Sequence, residues 1–198
     1  MEHELVLRPF ELVQRKRAFV MRNITFADLK KGLESTFTPS AAAVILYQAG
    51  MICGRRSAER LMKQLGSRNE ALLNAIVKLK KREGWASINF KKVNLKEKLG
   101  SVIVKNSFEA EGYGKSDTPV CHFLRGYLAG VLSQALNTEI NLTETACTAK
   151  GDPNCEFQIQ KAQTNKTLIG LRKQQPSQHA SPYHSTHQGV RNALRLPQ

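Results

Sequence analysis

Two of the chain's four cysteines lie in the stretch ETACTAKGDPNCEF, residues 144–157, with Glu144 three positions ahead of Cys147. The Gly-Asp-Pro-Asn segment between Cys147 and Cys155 reads as a turn. A hairpin centred on Gly151 sets Cys147 opposite Cys155, with β-carbons about 4.5–5.5 Å apart. Tetrahedral zinc takes thiolate sulfurs at about 2.3 Å, so two facing cysteines supply half of a site. A cross-strand disulfide has a similar reach, and two small buried hydrophobes are the third possibility. Two further donors are at hand. Cys121 opens a helical pattern, where free amides and the positive end of the dipole favour a thiolate, and Glu144 offers a hard oxygen. Positions 144 and 147 have opposite strand parity, so both can face one metal only if a bulge or an early strand end intervenes.

The elements that must carry these residues follow from periodicity. TFADLKKGLESTF (25–37) places Phe26, Leu29, Leu33 and Phe37 at helical spacing, with Thr25 as a cap. Pro39 and Ser40 lead into a long helix closed by Gly66, whose apolar first half is expected to be buried. A third helix runs from an Asn69 cap to about Gly84, with basic residues in its last turn. WASINFKKVNL and GSVIVKNSFEAEGY alternate and are rich in Val, Ile and Phe, and so predict two strands reaching from Trp85 to Tyr113. Pro119 begins a fourth helix, and EINLTETACTAK with CEFQIQ forms the final hairpin. The order predicts an α+β fold, an antiparallel sheet of about four strands with helices packed on one side.

At 198 residues and 41% hydrophobic the chain can bury one core. The start has no signal-like apolar segment, and the run Ala41–Cys53 is too short for a bilayer, so a cytoplasmic location with reduced thiols is expected. The ordered domain is expected over 21–162, after an N-terminal extension over 1–20. Residues 163–198, rich in Gln, Ser, His and Pro, predict a basic disordered tail in which His179, His184 and His187 are solvated. A net charge of +14, concentrated in part between Arg55 and Lys98, favours an acidic partner such as nucleic acid or another polyanion, if it is more than a solvated surface.

The residues VCHFLRGYLAGVL followed by INLTETACTAKGDPNCEFQI, with ILYQAGMICGRR and VIVKNSFEAEGYG upstream, resemble the 4-vinyl-reductase domain family, the hydrocarbon-binding domain of archaeal proteins and phenol-responsive activators. The resemblance implies a fold shared with subunits of the TRAPP vesicle-tethering complex and with ligand-binding domains of the nitric-oxide-signalling type. It also implies zinc, on Cys121, Glu144, Cys147 and Cys155, and a small hydrophobic or aromatic ligand between helices and sheet. Trp85, Phe108 and Tyr127 are the aromatic candidates for contacting it. In the phenol sensors an aromatic and a histidine contact the ligand, and neither has a counterpart that can be placed in this sequence.

Other polar residues read as structural. Cys53 is expected as a small buried hydrophobe, His122 as a neighbour of the site pointing elsewhere, and Glu109 with Glu111 as a solvated strand face. Gly126 and Gly130 share a helix face and predict close packing on the sheet. No Gly-x-Gly-x-x-Gly fingerprint and no positioned nucleophile occurs, so a regulatory sensor or carrier is favoured over an enzyme. A scaffold subunit dimerising through its helices and an accessory role in tetrapyrrole reduction are the alternatives.

Overall fold

The computed structural model describes residues 19–68 and 70–160. The extension up to residue 18, the Asn69 cap and the tail from 161 onward, with its three histidines, lie outside the described residues. Within them the order is α1 (Asn23–Thr36), α2 (Pro39–Leu65), α3 (Glu70–Arg82), β1 (Ser87–Asn94), β2 (Leu99–Lys105), α4 (Phe108–Tyr113), α5 (His122–Leu136), β3 (Asn141–Ala146) and β4 (Cys155–Gln160). A 3-10 turn, Thr148–Lys150, bridges the last two strands.

The four strands form one antiparallel sheet in the order β1-β2-β4-β3. Cys155, Phe157 and Ile159 on β4 are buried while Gln158 and Gln160 are exposed, the alternation of a sheet covered by helices on one face. Val102 and Val104 of β2 join the same core. The architecture is therefore the expected α+β one, and β2 and β4 form its centre.

Local chemistry explains the helix ends. Thr38 Oγ1 accepts from the Ala41 amide at 3.1 Å and Pro39 occupies the first turn, so α2 begins where its backbone donors are satisfied. It ends at Gly66, whose φ of +62° is the left-handed cap that glycine adopts without strain. Thr25 does not cap α1: the N-cap is Arg22, without a side-chain hydrogen bond.

The structure corrects several expectations. β2 stops at Lys105, and SFEAEGY turns into the short helix α4, because Ser107 caps it by accepting from the Ala110 amide and Glu109 and Glu111 sit in its first turn. Phe108 is thus helical, and Glu109 is buried instead of lying on a solvated strand face. The face that α1 buries contains Ala27 and Lys30, while Leu29 and Phe37 are exposed. The apolar first half of α2 buries Ala42, Leu46, Gly50 and Met51 but leaves Val44, Ile45 and Ile52 exposed. Gly126 and Gly130 face α2 and not the sheet: a β-carbon on them would stand 2.0 Å from the Tyr47 carbonyl oxygen and 2.3 Å from that of Met51. Gly50 and Gly54 answer them from α2, so the two helix backbones touch directly.

Candidate functional site

The hairpin expected to pair Cys147 with Cys155 is built differently. β3 pairs Glu144 with Phe157 and then Ala146 with Glu156, so the register shifts by one residue between them. Cys147 lies beyond the strand as the N-cap of the 3-10 turn, and Cys155 pairs across to Val104 on β2. The bulge and the early strand end together reverse the parity that separated Glu144 from Cys147. Asp152 fixes the turn by accepting from the Cys147 amide at 2.8 Å, and the Cys147 carbonyl accepts from the Lys150 amide at 2.9 Å.

These devices bring Cys121, Glu144, Cys147 and Cys155 together, all buried, with one donor atom from each lying within 4.8 Å of the others. Cys121 and Cys155 Sγ are 3.7 Å apart. Two sulfurs at about 2.3 Å from a tetrahedral ion are separated by about 3.8 Å, so this spacing already suits zinc. Glu144 Oε2 accepts the Cys121 amide at 2.9 Å, while Oε1 is buried with no hydrogen-bond partner. An orphaned buried carboxylate oxygen is costly unless a cation or proton meets it. Three thiols and one carboxylate are a donor set that zinc accepts.

The electrostatics point the same way. Burial, reinforced by Cys147, pushes the Glu144 carboxyl up to about 9. Hydrogen bonds from the Cys121 and Cys147 thiols hold Cys155 down to about 3, assisted by Thr148. The Cys121 thiol is pushed up by its hydrogen bonds to Cys147 and Cys155 and by burial. Four acids crowded in one buried place cannot all ionise together, and a divalent cation would relieve that conflict. Around them, Ser107 Oγ lies 3.3 Å from Cys121 Sγ, and the Thr148 amide donates to Cys155 Sγ at 3.4 Å. Contacts of this kind orient ligands and tune their charge. His122 is outside the donor group, and burial holds its imidazole down to about 4.

A second polar unit was not foreseen. Lys30 Nζ, fully buried, donates to the Val120 carbonyl and lies 3.6 Å from Glu109 Oε1. The Glu109 carboxylate accepts from the amides of Phe123 at 3.2 Å and Leu124 at 2.9 Å, the open N-terminus of α5. Two carboxylates, Glu109 and Glu144, therefore anchor the turn that presents Cys121. The Ser cap followed by acids in SFEAE was the sequence signal for this, hidden by the alternation read across it.

Trp85, Phe108 and Tyr127 do come together. Their rings form a continuous cluster, with Trp85 5.4 Å from Phe108 and 5.2 Å from Tyr127, and Phe123 and Phe26 complete it. Lys80 Nζ stacks on the Trp85 ring at 3.8 Å and pairs with Glu83. The rings pack against each other. A gap of about 440 Å³ opens elsewhere, between α3 and β1, lined by Leu73, Val77, Ile88, Phe90, Val93 and Leu95 with a few polar neighbours.

The 4-vinyl-reductase domain family matches residues 101–161, the segment that carries β2, α4, α5, the final hairpin and all four donors. The chain is 30% identical over 115 residues to the uncharacterized protein MJ0150 of Methanocaldococcus jannaschii, covering 58% of this chain and 62% of that one. It is 30% identical over 125 residues to MJ1642 of the same organism, covering 54% of this chain and 74% of that one. The chain thus spans less than two thirds of MJ0150. Among solved structures, the phenol-responsive sensory domain of the transcription activator PoxR with phenol has the same fold, at TM-score 0.64 and 22% identity, covering 81% of this chain and 85% of that one. A vinyl-4-reductase family protein from Methanocaldococcus jannaschii matches at TM-score 0.53 and 17% identity, covering 79% and 90%. With residues 101–161 matched by the family, a relative 30% identical covered over 74% of its length and the fold shared with these domains, the chain belongs to the 4-vinyl-reductase domain family.

Proposed function

We infer that this chain is a regulatory domain that binds a small apolar or aromatic molecule without transforming it, on a scaffold tied together by zinc. The observation that carries the ligand is the gap between α3 and β1, about 440 Å³, whose walls combine aliphatic and aromatic side chains with Glu70, Asn74 and Asn89, a size and lining suited to a small organic molecule with an apolar body. The fold likeness to a phenol-responsive sensory domain supports the same class of ligand. Trp85, Phe108 and Tyr127 would touch a ligand only if their packed rings part, so first contact is assigned to Leu73, Val77 and Phe90.

Cys121, Glu144, Cys147 and Cys155 would hold the zinc. Four protein donors close a tetrahedral shell, so the ion would act as a structural tie between α5, the final hairpin and the sheet. A cytoplasmic setting keeps such thiols reduced and belongs to the same reading. The basic surface between Arg55 and Lys98 would add weak, salt-sensitive polyanion contacts.

The test is a thermal-shift panel. A ligand that binds only the folded state adds about 2.7 kcal/mol of stability at a hundredfold excess over Kd. Toluene, phenol and indole should raise the melting temperature, and Val77→Trp, which fills the gap, should abolish the shift while zinc content stays constant. Shifts from sugars or nucleotides alone would refute the apolar ligand, and conversion of a hit to product would make the protein an enzyme.

The exposed Val44, Ile45 and Ile52 of α2 favour a second reading, a scaffold that forms a homodimer through its helices in the manner of TRAPP-like subunits. Sedimentation of wild type against Ile45→Glu tests it: a monomer in both excludes the dimer.

A further inference from the structure

A second groove lies on α2 and shares no lining residue with the gap between α3 and β1. It is about 340 Å³ and is lined by Ala49, Ile52, Cys53, Arg56, Ser57 and Arg60. Its lining changes character along the helix. Ala49 and the exposed Ile52 make one end apolar, and Arg56 and Arg60, one helical turn apart on one face, make the other cationic.

Neither guanidinium is neutralised. Arg55 pairs with Glu139, and Glu59 accepts a hydrogen bond from Gln134, whereas among the described residues no ion pair joins Arg56 or Arg60 to a carboxylate. Two unpaired guanidiniums four residues apart offer paired donors for a planar anion.

An independent observation lies beneath them. Tyr127 is fully buried, its ring beside Trp85 and the Lys80 ammonium. Its hydroxyl has Ser57 as a hydrogen-bonding neighbour and lies within electrostatic reach of Cys53 and Arg60, and these are three of the six lining residues. Ser57 is half-buried between it and the groove, so an acceptor held by the arginines would let Ser57 donate outward and accept from Tyr127.

We propose that this groove binds the carboxylate of an apolar monoacid, the head between Arg56 and Arg60 over Ser57 and the hydrocarbon part along Ile52 and Ala49. The apolar end argues against a nucleic-acid phosphate as the occupant, since a phosphodiester backbone would leave Ile52 and Ala49 uncovered. The site is separate from the gap of the proposed function and does not depend on it.

The experiment is calorimetric titration of the full chain with octanoate, octanol and inorganic phosphate. Octanoate should bind, with octanol and phosphate each at least tenfold weaker. Arg56→Gln/Arg60→Gln changes two exposed, unpaired side chains and should fold normally while weakening octanoate at least tenfold. Tyr127→Phe should weaken it about threefold and leave octanol unchanged. Saturating toluene should leave octanoate affinity unaltered. The proposal is overturned if octanoate does not bind at millimolar concentration, if the double variant binds it as wild type does, if phosphate or octanol binds equally well, or if toluene displaces it.

Discussion

Gly54→Ala probes the contact that sets α5, and with it Cys121 and Tyr127, against the rest of the domain. The new β-carbon would stand 2.1 Å from the Tyr127 carbonyl oxygen, 2.9 Å from its carbonyl carbon and 3.1 Å from its Cα, where ordinary contact begins at 3.4 Å. All three obstacles are backbone, so no rotamer change relieves them, and the helices must separate by about 1 Å in a region packed at crystal-like density. Overpacking of this kind costs up to about 3 kcal/mol. Alanine's better helix propensity offsets about 1 kcal/mol, leaving a net loss of about 2 kcal/mol. Gly32→Ala is the control: it is helical with nothing within 4 Å of the added carbon, and should gain about 0.5–1 kcal/mol. Urea unfolding of the three proteins at equal zinc, with unchanged m-values, gives both numbers. A Gly54→Ala protein as stable as wild type would refute direct backbone contact between α2 and α5.

Two further outcomes follow from the buried polar groups. Protein purified without chelator should carry one zinc per chain by elemental analysis, and Cys147→Ser should lose most of it and melt earlier; a metal-free wild type or unchanged zinc in the variant refutes the assignment. Burial, opposed by Lys30 and two helix amides, pushes Glu109 from 4.5 up to about 6. Between those values the folded state keeps a proton that the unfolded state has released. The contribution of this group to stability is therefore full below about pH 4.5 and is lost as pH rises through 6, about 2 kcal/mol in all. The difference in unfolding free energy between wild type and Glu109→Gln should fall by about 2 kcal/mol between about pH 3.5 and 7, and parallel curves would show that folding leaves this carboxyl unshifted.

Much of this was legible in one dimension. The turn residues 151–154, the Val- and Ile-rich alternation and the helical spacing with Pro39 and Gly66 at its ends are local signals, because capping, turn geometry and amphipathic periodicity act over a few residues. The grouping of Cys121, Glu144, Cys147 and Cys155 was legible too, since their types and spacing are chemical facts, and a bulge with an early strand end lets them converge. The extent of α4 was not: SFEAEGY satisfies strand alternation and helix capping equally, and the choice fell to the contacts that bury Glu109 against α5 and Lys30. The partner of the glycines was equally beyond reach. Gly50, Gly54, Gly126 and Gly130 mark close approach, but which surface approaches is set by residues some seventy positions away. Tertiary structure also exposed Val44, Ile45 and Ile52 in the apolar first half of α2 and buried Lys30, because burial is decided by which face meets a neighbour and by whether a polar group finds a partner there, and neither is a property of the residue itself.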